Sequence, residues 1–203
     1  MKIIGLTGNI GCGKTAVAGM LRRLGADFVD ADLLVHELLG PGTPVTAAVL
    51  RRFGEGIRKP DGGVDRQALA RIVFADPKAL RALEDIVHPA VLRETEARIR
   101  RSTAPVLVLE AIKLIESGMY LRCDEVWVVT CDAEQQIQRL VSQRGMLREE
   151  ALQRIQAQPP PEAKVPYARV VIDNSGTLEQ TWRQVKAAWD RLVGEGPGSG
   201  PHP

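Results

Sequence analysis

Aromatic side chains are scarce in this sequence: three Phe, two Tyr and three Trp amount to 4% of its 203 residues. Hydrophobic residues still make up 44%, so a substantial core is available, and aliphatic side chains have to fill most of it. Cysteine is scarce as well. Cys12, Cys123 and Cys131 are odd in number and lack C-x-x-C spacing, which excludes a disulfide framework or a zinc site and suits a reducing, cytoplasmic setting. An excess of one charge sign is also missing. Lys and Arg number 27 against 25 Asp and Glu, a net charge of +2, too small to argue for a nucleic-acid partner. No apolar run approaches the ~20 residues needed to span a bilayer, and no basic leader precedes an apolar stretch at the N-terminus. Neither a membrane partner nor a signal peptide is expected. What remains is one domain over 1–193, monomeric or a small homo-oligomer.

What is there alternates. Lys2–Thr7, Asp27–Asp30, Val106–Leu109, Val126–Val129 and Val170–Ile172 are short apolar runs that read as strands. Between them lie helical patterns. Val17, Met20, Leu21 and Leu24 share one helix face that Gly25 ends. Another helix starts around Leu33 and breaks at Gly40-Pro41-Gly42. Asp65 caps Arg66–Phe74, and Asp76-Pro77 opens a helix expected to run to Val87, with His88-Pro89 interrupting before a further helix to Arg101. Helices are also expected over Ala133–Gln143, Arg148–Gln158 and Leu178–Val193. Strands alternating with helices indicate an α/β fold with a parallel sheet and helices on both faces. The tail, 194–203, is rich in Gly and Pro and has little to bury, so disorder is expected there.

Gly8-Asn9-Ile10-Gly11-Cys12-Gly13-Lys14-Thr15 satisfies G-x-x-x-x-G-K-[ST] between a strand and a helix. Its chemistry is that of a nucleoside triphosphate site, for ATP with Mg²⁺. The glycines let the backbone curl so that successive N–H groups point at phosphate oxygens. The helix that begins near Gly13 offers unpaired N–H groups and a positive dipole end to the same anions. Lys14 then places an ammonium near the β- and γ-phosphates, and the Thr15 hydroxyl ligates Mg²⁺. At Cys12 the loop uses the backbone N–H, with the side chain incidental.

A phosphate loop alone does not separate a kinase from a GTPase switch or a motor ATPase. Asp173-Asn174-Ser175-Gly176 fits D-x-x-G, but it comes late and no N-K-x-D follows, so the match is chance. Arg139, Arg144, Arg148, Arg154 and Lys164 cluster late in the chain. Phosphoryl transfer needs cations around the γ-phosphoryl, and a closing flap with arginines supplies them. A solvated helix face is the competing explanation for any one of these arginines. Asp30-Ala31-Asp32 follows the second strand, whose carboxyl end faces the ligand crevice in such a sheet. Asp30 reads as an N-cap, whereas Asp32 reads equally as a first-turn acid or as the base for an attacking hydroxyl.

Together these stretches resemble the dephospho-coenzyme A kinase family. The match runs from Gly5-Leu6-Thr7 through the phosphate loop to Asp30-Ala31-Asp32, Gly42-Thr43-Pro44, Phe53-Gly54 and Leu83–Pro89. It continues with Gln138-Arg139, Arg144, Arg154-Ile155, Gln158 and Val171–Gly176. The resemblance implies a five-stranded parallel P-loop fold of the nucleotide-kinase type, a helical acceptor-binding region over 33–101 and a mobile lid over 139–166. It implies transfer of the γ-phosphoryl of ATP to the ribose 3′-hydroxyl of dephospho-coenzyme A. The site residues carried over are Asp32 as the catalytic aspartate, Lys14, Arg139 and Arg144 on the phosphates, and Gly8, Gly11, Cys12, Gly13, Lys14, Thr15, Ala16 and Asn174 around the nucleotide. Two departures stand out. Ile112 and Lys113 replace a proline and a leucine after the third strand, which bears on the acceptor side. Ala16 replaces a hydroxyl residue and leaves only its backbone donor. Rival readings are a kinase for nucleosides or nucleotides and a non-catalytic ATP-responsive module.

Overall fold

The apolar runs assemble into one sheet in the computed structural model, which describes residues 1–194. Strands β1 (Lys2–Gly8), β2 (Asp27–Asp30), β3 (Val106–Glu110), β4 (Glu125–Thr130) and β5 (Val170–Asp173) take the order β2-β3-β1-β4-β5. β1 lies parallel to both β3 and β4, with Lys2 opposite Val106 and Gly5 opposite Val126, and β5 runs parallel to β4 with Trp127 opposite Val170. Every apolar residue of β3 and β4 is buried, which is why these runs do not alternate with polar residues. Gly194, assigned to the tail on composition, is instead the last residue of the final helix. The rest of the expected disordered tail lies outside the described residues.

The chain forms two compact units, Met1–Phe28 with the chain from Thr103 onward, and Val29–Ser102. In the first, helices α1 (Lys14–Arg23) and α8 (Leu178–Gly194) pack on each other. Their buried faces, Val17 and Leu21 from one and Val185, Trp189 and Leu192 from the other, join Ile4, Leu6, Val108 and Ile172 of the strands in one core. Burying each such aliphatic side chain contributes roughly 1.5–3 kcal/mol. Helices α6 (Ala133–Arg144) and α7 (Arg148–Gln156) form a hairpin with a smaller core of its own, built on Ile137, Leu140 and Ala151.

Trp127, one of the few aromatics, is fully buried in β4, and its indole N–H donates to Glu125 at 3.0 Å. Glu125 in turn accepts two bonds from the Arg191 guanidinium, at 2.8 and 2.7 Å. Burial works to raise the Glu125 carboxyl, but the bonds from Arg191 and Trp127 and the charges of Arg191 and Arg169 outweigh it and hold the group below its ordinary 4.5. A carboxyl lowered by folding stabilises the protein above its unfolded pKa and loses that contribution as the pH falls through the folded value. Glu125→Gln is therefore expected to cost about 2–4 kcal/mol at neutral pH, because it removes the partly buried carboxylate charge that the Arg191 guanidinium bonds in two places. It should also flatten the loss of stability below about pH 4.5. Urea unfolding at neutral and acid pH measures both; equal acid sensitivity in the variant and the parent would assign that limb to other groups.

The second unit holds α2 (Ala31–Leu38), α3 (Pro44–Phe53), α4 (Arg66–Ala75) and α5 (Pro77–Arg101), with α2, α3 and α4 packed on α5. Each start is capped by a side-chain oxygen. Asp30 accepts from Leu33 N, Thr43 from Thr46 N, Asp65 from Gln67 N and Ala68 N, and Asp76 from Lys78 N. Pro44 and Pro77 occupy first helical positions, where no N–H is needed. The break expected at His88-Pro89 is absent: α5 is continuous, with Pro89 inside it. An interior proline forfeits one helix bond, at a cost of about 3 kcal/mol. Here Pro89 is exposed, so the carbonyl it fails to satisfy is on the solvent side, while Val87, Ala90, Val91 and Thr95 bury the helix around it. Burial overrides the local signal.

Candidate active site

The turn from β1 into α1 is shaped by glycines that tolerate no side chain. Gly8 has φ +153°, and a Cβ there would lie 2.4 Å from Val129 O and 2.7 Å from Cys12 Sγ. At Gly13, φ +90°, a Cβ would meet the Asn174 amide nitrogen at 2.1 Å. No backbone carbonyl among the described residues accepts from the N–H groups of Gly11, Gly13 and Thr15, at the positive end of α1, while the Lys14 N–H bonds the Cys12 thiol. Such an array binds anions. Lys14, half-buried, donates to Gly8 O at 2.9 Å and lies 3.5 Å from Asn9 O. Thr15 is exposed beside it in the first turn. Ala16 differs from expectation: its N–H is taken by Gly13 O at 3.0 Å, so what it brings to the site is its methyl group.

A cavity of about 390 Å³ opens over this loop, lined by Gly11, Gly13, Lys14 and Thr15, by Arg139, Arg144 and Arg154, and by Asn174. The structure therefore brings together the loop and both predicted arginines, but it gives the arginines different work. Arg139 donates to Cys12 O at 3.2 Å, to Asn174 O at 2.8 Å and to Gln135 at 3.1 Å, bracing the loop from α6. Arg144, at the end of α6, is exposed on the cavity wall. Arg154 also lines the wall while paired with Glu150 at 2.8 Å. Arg148 proves to be the solvated face: both its terminal nitrogens bond Glu134, at 2.9 Å each. Lys164 is buried, with its ammonium on Ile112 O at 2.7 Å and on Glu116 at 2.9 Å. It fastens the turn after β3, where Thr7 also donates to Ile112 O.

Asn174 is buried at the end of β5, donating its amide to Cys12 O at 2.9 Å and accepting from the Thr181 hydroxyl at 2.8 Å. The D-x-x-G stretch serves here as a turn. Asp173 accepts from Ser175 N, and this turn delivers Asn174 to the phosphate loop. No spacing rule could have shown it, since the partner lies 162 residues away. Cys12 contributes its carbonyl, and its side chain packs in the main core. All three thiols are free. Burial raises each of them, Cys131 to about 11 and Cys123 to about 12, so none is a thiolate nucleophile at neutral pH.

Asp32 sits in the second unit, exposed in the first turn of α2. Asp30 is the N-cap of that helix, as its position suggested, accepting from Leu33 N at 2.9 Å. His88 is half-buried within α5, and Lys113 is exposed just after β3.

The family profile described as "Dephospho-CoA kinase" matches residues 2–180. A dephospho-CoA kinase of Symbiobacterium thermophilum is 51% identical over 197 residues, covering 96% of this chain and 82% of the relative. That of Geobacter metallireducens is 49% identical over 200 residues, covering 97% and 100%. Among solved structures, one from Thermus thermophilus superposes with a TM-score of 0.83 at 36% identity, covering 97% of this chain and 98% of the other. A phosphate loop with its lysine and cavity-lining arginines stand on a five-stranded parallel sheet that these relatives match almost end to end, and the chain belongs to the dephospho-CoA kinase family.

Proposed function

We propose that this chain transfers the γ-phosphoryl group of ATP to the 3′-hydroxyl of the ribose of dephospho-coenzyme A, giving coenzyme A and ADP, the last step of coenzyme A synthesis. The observation that carries this is the cavity on which the phosphate loop, Lys14, Arg139, Arg144 and Arg154 converge, in a chain of this family. Phosphoryl transfer asks little covalent chemistry of a protein and much placement of positive charge. The loop N–H groups and Lys14 hold the phosphates, and Arg144 meets charge on the transferring group. Arg139, by bracing Cys12 and Asn174, keeps the loop in shape while its guanidinium stays on the cavity wall.

Magnesium fits this site through Thr15, whose exposed hydroxyl lies next to Lys14 at the start of α1. Among the described residues no group of three or more His, Cys, Asp or Glu is placed to hold a metal, which suits a cation that arrives on the phosphates and keeps several waters. When bound it neutralises charge on the β- and γ-oxygens. Asp32, at the carboxyl end of β2, takes the proton of the attacking hydroxyl. The helices of 33–101 form the acceptor-binding region, and 139–166 is a lid over the nucleotide.

An acceptor panel tests the assignment. ADP formation measured with ATP and Mg²⁺ should depend on dephospho-coenzyme A and exceed that with adenosine, AMP or uridine by at least about 10²-fold, as expected where a site hydrogen-bonds its substrate. Comparable rates with nucleosides would make it a nucleoside kinase, and no acceptor-dependent ADP at all would leave only an ATP-binding module.

A further inference from the structure

The outer arc of the phosphate loop is gripped from outside itself. Ile10 N donates to the side-chain oxygen of Gln158 at 2.8 Å, and Asn9 Nδ2 donates to Pro159 O at 2.8 Å. The Ile10 side chain packs into the small core of the α6–α7 hairpin with Met146, Leu152 and Ile155. Two adjacent loop residues thus touch the hairpin core through the Ile10 side chain and make two hydrogen bonds to the segment that follows it, at Gln158 and Pro159. That segment is stiff, because Pro159, Pro160 and Pro161 follow Gln158 without interruption and each restricts its backbone. The Asn9 amide has one workable orientation. It is buried, and its oxygen has no partner, yet flipping it would set that oxygen against the Pro159 carbonyl. The gripped residue is also the one whose carbonyl lies by Lys14, 3.5 Å from the ammonium, and accepts from Cys12 N at 3.3 Å. Because Ile10 N–H is engaged by Gln158, it stands apart from the N–H groups of Gly11, Gly13 and Thr15, which no backbone carbonyl among the described residues takes.

We infer that Gln158, together with Asn9, is a positioning residue for phosphoryl transfer: it latches the stretch after α7 to the phosphate loop and thereby sets where Lys14 and the hairpin's arginines meet the nucleotide. The latch acts through the loop, so it touches neither substrate. Its effect falls on the step in which the ammonium must be aimed, and less on ground-state binding, which the remaining loop N–H groups supply. A loop freed at this point samples more positions, and Lys14 and Arg144 lose their mutual register.

The catalytic part of this inference rests on the phosphoryl-transfer assignment; the contact itself does not, and the experiment separates the two. In Gln158→Leu, amide hydrogen exchange at Ile10, followed by NMR on the full chain without nucleotide, should be faster than in the parent. In Gln158→Glu, which keeps an acceptor oxygen, exchange should stay slow. In the acceptor-dependent assay Gln158→Leu and Asn9→Ala should each lower kcat about fivefold to tenfold, the worth of one net hydrogen bond, with KM for ATP changed less than about threefold. Because either change opens the same latch, the double variant should be no more than about twofold worse than the poorer single variant. Unchanged Ile10 exchange in Gln158→Leu, a kcat within twofold of the parent, or losses that multiply in the double variant would each overturn the inference. A parent without acceptor-dependent turnover would sink the kinase assignment instead and leave the exchange result to judge the contact.

Discussion

Lys14→Ala is expected to lower kcat at least about 10²–10³-fold, the usual loss when one aimed donor is removed from a charge-stabilising site, while the protein stays folded. Lys14 is half-buried, and among the described residues its ammonium bonds the carbonyls of Gly8 and Asn9, which water can reach once the side chain is gone. Loop shape is held elsewhere. Asn174 and Arg139 both donate to Cys12 O, and Gly8 and Gly13 adopt backbone angles that the lysine does not impose. Thermal unfolding should therefore shift by only a few degrees, corresponding to about 1 kcal/mol or less. Steady-state ADP release and a melting curve on the same preparation measure both. A variant that retained most of its kcat would remove the foundation of the catalytic reading.

Asp32→Asn should lose about 10²–10⁴ in kcat, the range of a general base. A hydroxyl is a poor nucleophile at neutral pH, and a carboxylate takes its proton as the bond to phosphorus forms. In a loose transition state little charge is needed on the attacking oxygen, so part of the effect is orientation. Asparagine keeps the shape. The first-turn charge it removes from α2 is worth about 0.3–1 kcal/mol to the helix, and the cap itself belongs to Asp30. ATP affinity should hold, because a carboxylate offers phosphates no attraction. A lower melting temperature with kcat intact would reduce Asp32 to a helix-start residue, and the base would have to be found elsewhere.

Local rules carried much of this protein. The five expected strands appeared within a residue or two, and β3 and β4 were the plainest because a run covered on both faces has no polar position to misread. Asp65 and Asp76 cap as their sequence neighbours required. The phosphate loop was legible because its function depends on backbone conformation, and glycine spacing encodes backbone conformation directly. Lys14 and Thr15 follow from the same motif.

Inferences that needed to know what a side chain touches at long range fared worse. His88-Pro89 reads as a break, and only the packing of α5 against α2, α3 and α4 keeps that helix whole. Five cations in the late segment look alike in sequence. Arg139 braces the loop, Arg144 and Arg154 line the cavity, Arg148 pairs outward with Glu134, and Lys164 is buried on Glu116. The family resemblance marks Asn174 and Gln158 but not what they hold, since their partners are Cys12 and Ile10 on the far side of the sequence. By itself the sequence determined the strands, the caps, the phosphate loop and the family, because each depends on residue type and spacing over a short window. The tertiary structure alone decided which polar groups hold that loop in place, because a hydrogen bond to a carbonyl needs only a donor at the right point in space, wherever in the chain it comes from.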